Sequence, residues 1–250
     1  MVHPNSQQRG TPVQGHSFDT TQWSVIVAAG QPQHADRQRA LATLCERYWH
    51  TLYAYLRRQG HSGDRAQDLT QEFFCRLLEK NYLQDAQRER GRFRNFLLAA
   101  FKHFLANEWD RAHAQKRGGH AVMLSLDFSQ AENAPGFEPS HDMTPDKAFE
   151  RTWALAVLEH TLVRLRGEYA AAGKDTLFEA LKPALTAEQP MIPLKELGER
   201  LGMSEGAVKV AVHRLRQRYR AALRQEIAQT VAEPADIDAE IRDLFAALGG

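Results

Sequence analysis

The amino-acid sequence predicts an all-α protein made of two small helical domains joined by a flexible linker. Three observations carry this. Apolar residues recur at spacings of three and four through residues 37–120 and again through 145–228, the period of one helix face. Helix-breaking residues gather between these stretches, at Gly118 and Gly119 and in three prolines between 132 and 145. Near residue 200 two short helical patterns meet at a tight turn with its own cap.

Residues 1–17 are rich in Pro, Gly, Gln and His and read as a flexible arm. Trp23, Val25, Ile26 and Val27 form a short apolar segment, capped by Asp19 or the threonines after it, and 30–36 reads as a loop. Together, 1–36 is an N-terminal extension. The first helix, 37–59, carries Leu41, Leu44, Tyr48, Leu52, Tyr55 and Leu56 on one stripe. The second, 64–79, carries Leu69, Phe73, Phe74, Leu77 and Leu78. A charged connection over 81–91 leads to a third helix on which Phe93, Phe96, Leu97, Phe101, Phe104 and Trp109 recur at helical spacing. These three make the first domain, 37–120. The linker is 121–144. Thr144 and Pro145 restart the chain as a cap followed by proline at the first helical position, and the helix runs through Phe149, Trp153, Leu158 and Leu165 to about residue 169. Gly173 interrupts it, and a shorter helix lies around 177–181. The second domain spans 145–228, and 229–250 is an acidic C-terminal extension.

The turn near residue 200 is the most informative local feature. Leu194, Leu197 and Leu201 share a face of the helix over 194–201; Gly202 sits where a left-handed C-cap is needed, and Met203 fills the corner. Ser204 is placed to cap the following helix by accepting a hydrogen bond from a free N–H. That helix has Val208, Val212, Leu215, Tyr219 and Leu223 on one side, and Lys209, His213, Arg216, Arg220 and Arg224 on another. From 206 to 225 there are six Lys/Arg residues and no acid. An apolar-backed helix with a basic front, entered through a glycine turn, suits the DNA major groove; the plainer alternative is a helical hairpin with a solvated basic face.

Upstream, 88–117 carries eight Lys/Arg against three acids. The third helix offers Asn95, Lys102, His103, Asn107 and Arg111, flanked by Arg92, Arg94, Lys116 and Arg117. Basic groups follow phosphates, and a ring left exposed among them can stack on an unpaired base. Most of the rings read as core.

Composition supports globular domains, with 43% hydrophobic and 25% charged residues. The formal net charge is only +1, yet charge is segregated: from 226 to 243 six acids face one base. Local patches matter more for DNA than the average. The two cysteines, Cys45 and Cys75, lie inside apolar-periodic segments, so a reducing compartment is expected rather than a disulfide framework. No apolar run reaches the length of a membrane span and the N-terminus lacks a signal-peptide core, so a cytoplasmic protein without membrane contact is expected. No Walker loop, nucleophile elbow or zinc spacing occurs, and His50, His61, His103, His113 and His120 lack ligand-like pairing. Hence neither catalysis nor a metal or cofactor is expected.

Together these elements resemble the sigma-70 family of bacterial transcription initiation factors, in its small extracytoplasmic-function type, over roughly residues 38–120 and 148–226. Glu196-Leu-Gly-Glu-Arg-Leu-Gly-Met-Ser-Glu-Gly-Ala-Val-Lys209, followed by His213-Arg214, is similar to the family's promoter-reading helix-turn-helix. Asp68-Leu-Thr-Gln-Glu-Phe-Phe-Cys-Arg-Leu-Leu78 resembles the helix that docks on core RNA polymerase, and 96–111 the helix that opens and reads the minus-ten element. The resemblance implies minus-thirty-five contacts from Ser204, Glu205, Ala207, Lys209, His213, Arg214, Arg216 and Arg218. It implies minus-ten contacts from Arg92, Arg94, Asn95, Lys102, His103, Asn107, Arg111, Lys116 and Arg117, and polymerase contacts from Asp64, Asp68, Gln71, Glu72 and Phe74. Promoter DNA, duplex and melted, and core polymerase are the implied partners; an anti-sigma factor, or a Ser/Thr kinase suggested by the departure at the docking helix, are candidate regulators. His103 and Asn107 stand where the family commonly has Asn and Asp. The docking helix is short of acid, and a phosphate on Thr70 would add about −1.5 to −2 charge there. The alternative is a conventional helix-turn-helix regulator, which needs no polymerase-docking helix.

Overall fold

Each apolar stripe forms a helix because it needs one continuous face to bury. The computed structural model describes residues 37–79, 92–114, 143–186, 192–231 and 233–249. The N-terminal extension, the charged connection, Lys116, Arg117 and the linker up to residue 142 lie outside them. Among the described residues every regular element is helical: α1 (Arg37–Arg58), α2 (Gly63–Glu79), α3 (Phe93–Ala114), α4 (Pro145–Ala171), α5 (Asp175–Leu181), α6 (Pro183–Thr186), α7 (Leu194–Leu201), α8 (Glu205–Ala228) and α9 (Ile237–Gly249). A 3-10 turn, Pro234–Asp236, precedes α9.

Two cores form. The first takes Leu44, Leu52 and Leu56 from α1, Phe73 and Leu77 from α2, and Phe93, Leu97 and Phe101 from α3. It also takes Phe149, Trp153 and Val157 from α4, Leu223 and Ile227 from α8, and Leu244 from α9. The second joins Leu165 and Tyr169 of α4, Phe178 and Leu181 of α5, Leu197 of α7, and Val208 and Leu215 of α8. The two long helices, α4 with 27 residues and α8 with 24, therefore run through both cores. Besides any linker, the two halves are joined by shared helices. The acidic extension also does more than its composition suggests: α9 folds and seats Leu244 in the first core.

Local chemistry explains the boundaries. Thr144 accepts from the Lys147 N–H at 3.3 Å and Pro145 opens α4 as expected. Gly173, with φ +67°, closes it: its N–H donates to the Ala170 carbonyl, and the Lys174 N–H to Tyr169. Thr51, Thr70 and Thr161 can be buried inside helices because each hydroxyl donates to a backbone carbonyl three or four residues earlier and is not left unsatisfied. Cys45 and Cys75 are free thiols, and burial pushes the Cys45 thiol up to about 12, which leaves it protonated and unreactive.

Aromatic packing knits α1, α2 and α3 together. Phe101 meets Phe73 edge-on at 4.9 Å and Tyr55 at 5.8 Å, with no exposed surface of its own. Such pairs add about 0.5–1.5 kcal/mol beyond area burial. Phe101→Ala is expected to lower unfolding free energy by about 3–5 kcal/mol in chemical denaturation. Val163→Ser, at a position 59% exposed, is expected to stay within about 0.5 kcal/mol of the parent.

Candidate nucleic-acid interface

The α7–α8 turn is built as its residues demand. Gly202 takes φ +65° and ψ 30°, and the Met203 N–H donates to the Gly198 carbonyl at 2.8 Å. Ser204 accepts from the Ala207 N–H at 3.2 Å and starts α8. Gly198 carries a constraint that periodicity did not show: a Cβ there would stand 2.6 Å from the Met203 carbonyl oxygen. A glycine inside an eight-residue helix was the available signal. The turn can close this tightly only without a side chain at 198. Val208 and Leu215 face inward, while Ser204, Glu205, Ala207, Lys209, His213, Arg214 and Arg218 lie on the outer side, all exposed or half-buried.

Electrostatics refine this face. Lys209 pairs with Glu205 at 2.7 Å, one turn apart, and that bond holds the Glu205 carboxyl below its ordinary range. Arg218 lies over the Tyr169 ring at 5.5 Å. Arg216 departs from expectation. Its Nε and Nη2 both donate to the Ala184 carbonyl, at 3.0 and 2.8 Å, tying α8 to α6. It is a structural clasp in this conformation, because α6 brings a backbone carbonyl under its fork. Lys174 was not singled out in the sequence, yet it lines one groove with Arg214 and Arg218.

On α3 the expected residues divide. Asn95, Lys102 and His103 are exposed, while the His103 ring nitrogen lies 3.0 Å from the Asn107 amide. Lys102 pairs with Asp146 at 2.8 Å, which raises its pKa, and lines a groove with Tyr55, His61, Arg65 and Trp109. Trp109 is 65% exposed, so one ring of the aromatic stripe does face outward. Arg94 is buried instead, stacked 4.0 Å over Trp153 and paired with Glu150 and Glu240. Arg92 pairs with Glu240 at 2.7 Å and with Asp243. Arg111 lies on α3, and its side chain falls outside what is described.

On α2, Asp64 and Asp68 are at the surface and Gln71 is half-buried. Glu72 pairs with Arg76, which also reaches Glu108 of α3 at 2.5 Å. Phe74 and Thr70 are core residues: Phe74 is 1% exposed, and the fully buried Thr70 hydroxyl donates to the Ala66 carbonyl at 2.7 Å. Residues 66, 70, 73 and 77 form one helical stripe, and the threonine belongs to it because its hydroxyl is satisfied locally. No kinase reaches that oxygen while α2 is folded. Among the described residues no group of three His, Cys, Asp or Glu is placed to hold a metal ion, and no helix is long and apolar enough to cross a membrane. His50 stacks on Trp49 and is pushed down to about 4, chiefly by burial and then by His160.

A capped helix pair with a cationic outer face, carried on an all-helical body, defines a helix-turn-helix DNA-binding protein. The chain belongs to the ECF sigma factor family, whose model matches residues 19–225. It is thus a transcription initiation factor that works with RNA polymerase. Comparison with curated proteins and with solved structures returns no match. The matched stretch ends inside α8, so α9 lies beyond it.

The turn geometry is testable. Gly198→Ala is expected to lower stability by about 1–3 kcal/mol, since the opposing atom is backbone and cannot rotate away. Ser204→Ala is expected to cost about 1 kcal/mol. Both are read by thermal denaturation, and a neutral Gly198→Ala contradicts the close approach.

Proposed function

We propose that this protein brings core RNA polymerase to particular promoters, reads the duplex minus-thirty-five element with α8, and holds the melted minus-ten strand on α3. The observation that carries the reading is the capped α7–α8 turn presenting an exposed basic face. Ser204, Glu205, Ala207 and Lys209 occupy the first turns of α8, where a groove-reading helix meets base edges. His213, Arg214 and Arg218 follow along the phosphates, with Lys174 beside them.

The melting role is supported by Trp109, exposed on a helix that also offers Lys102, His103 and Asn107. Separating stacked pairs costs about 1.4 kcal/mol per step. Stacking an unpaired base on an aromatic ring returns ~1–3 kcal/mol. Few captured bases suffice to bias opening. Asp64, Asp68 and Gln71 offer the polymerase an accessible surface on α2, whereas the buried Phe74 acts by packing. No covalent chemistry enters this reading, and phosphorylation of Thr70 is not carried into it. A cytoplasmic location follows from work alongside polymerase.

The test is run-off transcription on genomic fragments with core polymerase, with and without this protein. Promoter-specific transcripts are expected only with it. Duplex binding without polymerase association would instead favour a conventional regulator. Lys209→Ala and Arg214→Ala are each expected to weaken binding to the upstream element and to reduce the salt slope by about 0.9 for each phosphate no longer neutralised. Glu205→Ala is expected to change which sequences are preferred. Trp109→Ala is expected to leave duplex binding intact and slow open-complex formation, followed by permanganate reactivity of unpaired thymines.

A further inference from the structure

The helix beyond the family match holds one arginine beside each of the two helices proposed above to meet DNA. Glu240 and Asp243 of α9 engage Arg92 at the start of α3, and Asp238 engages Arg224 of α8. A carboxylate on a guanidinium offers the same acceptor geometry as a phosphate oxygen. The acids sit on a helix whose apolar side rests on the first core through the fully buried Leu244, with Ile237 and Ile241 beside it. The charge cluster is incompletely satisfied: Arg94 Nε and Glu240 Oε1 are buried without a protein partner. A half-satisfied polar network is weaker than its count of ion pairs suggests.

We propose that α9 is an acidic latch. In the free chain Asp238, Glu240 and Asp243 occupy the places that DNA phosphates take on Arg224 and Arg92, and the DNA backbone displaces them when the factor engages its promoter. This rests on the DNA-binding reading given above and adds to it a competitor carried in the same chain. Asp238 and Asp243 are the exchangeable part, with side chains 65% and 49% exposed. Glu240 and Leu244 are the seat, which holds α9 down until DNA phosphates compete for both arginines.

The experiment uses the full chain, with a mixed-sequence DNA single strand and a mixed-sequence duplex as probes, followed by fluorescence anisotropy across a salt series. Asp238→Asn combined with Asp243→Asn leaves the apolar seat untouched. It is expected to raise affinity about threefold to tenfold, and to steepen the single-strand salt slope by about 0.7 for Arg224, the arginine it releases, since Glu240 still holds Arg92. Adding Arg92→Ala and Arg224→Ala is expected to abolish both gains. Hydrogen exchange of the parent protein supplies the second measurement: amides of 237–249 are expected to lose protection when DNA saturates the protein. Unchanged or weaker binding by the asparagine variant overturns the latch, as does a gain that survives loss of both arginines. So does an α9 that stays protected on DNA. If neither probe binds the parent or any variant, the DNA-binding reading falls and the latch with it, an outcome distinct from DNA binding that ignores the acids.

Discussion

A guanidinium enclosed by a helical bundle must be matched by charge, since arginine does not shed its proton. Arg94 is held to 4% exposure between the Trp153 ring and carboxylates from two other helices. That arrangement ties α3 to α4 and α9 at one point. Burial pushes the Glu150 and Glu240 carboxyls up, and the positive charges of Arg94 and Arg92 draw them back. Removing one partner from such a buried pair typically costs about 3–5 kcal/mol, because the other charge is left stranded. The charge matching adds to the hold that Leu244 gives α9 on the first core, and Glu240 holds Arg92 as well.

Around that fixed point the fold separates support from recognition. The first core is aromatic and draws on residues from Ala40 to Leu244. The second is small and serves the α7–α8 turn, where Gly198, Gly202 and Ser204 set the angle between two helices. α4 and α8 belong to both, so the reading surface is braced against the larger core by continuous helix. The residues proposed to read DNA stand on a capped helix, and a helix formed in advance limits the ordering entropy spent on binding.

Periodicity located α1, α2 and α4 to within a few residues, and the cap chemistry at Thr144, Gly202 and Ser204 was legible because each depends on one or two local neighbours. What could not be read from local pattern was which polar side chains turn inward. Arg94 and Arg92 look alike in the sequence, and only the arrival of Glu150 and Glu240 from distant segments ties both down and lets Arg94 be buried. Thr70 reads as surface until its hydroxyl is seen bonded to Ala66. Arg216 fits the basic face by spacing, yet the Ala184 carbonyl claims it. Trp109 extends an apolar stripe past the point where the bundle covers it. α9 was hidden by its acids, since an apolar face among carboxylates reads as a solvated tail until a partner surface is known.

The first core has a consequence for how the protein is made. Its residues lie far apart along the chain, and Leu244 leaves the ribosome long after Ala40. Local helices can form during synthesis and α1 can pair with α4 once α4 has emerged, but the part of the core that α9 covers must wait until α9 has been made. A nascent chain that stops short of α9 carries the reading turn without the full body that braces it. Such a fragment exposes apolar surface and becomes a chaperone or protease substrate. Emergence of α9 is therefore what completes the first core.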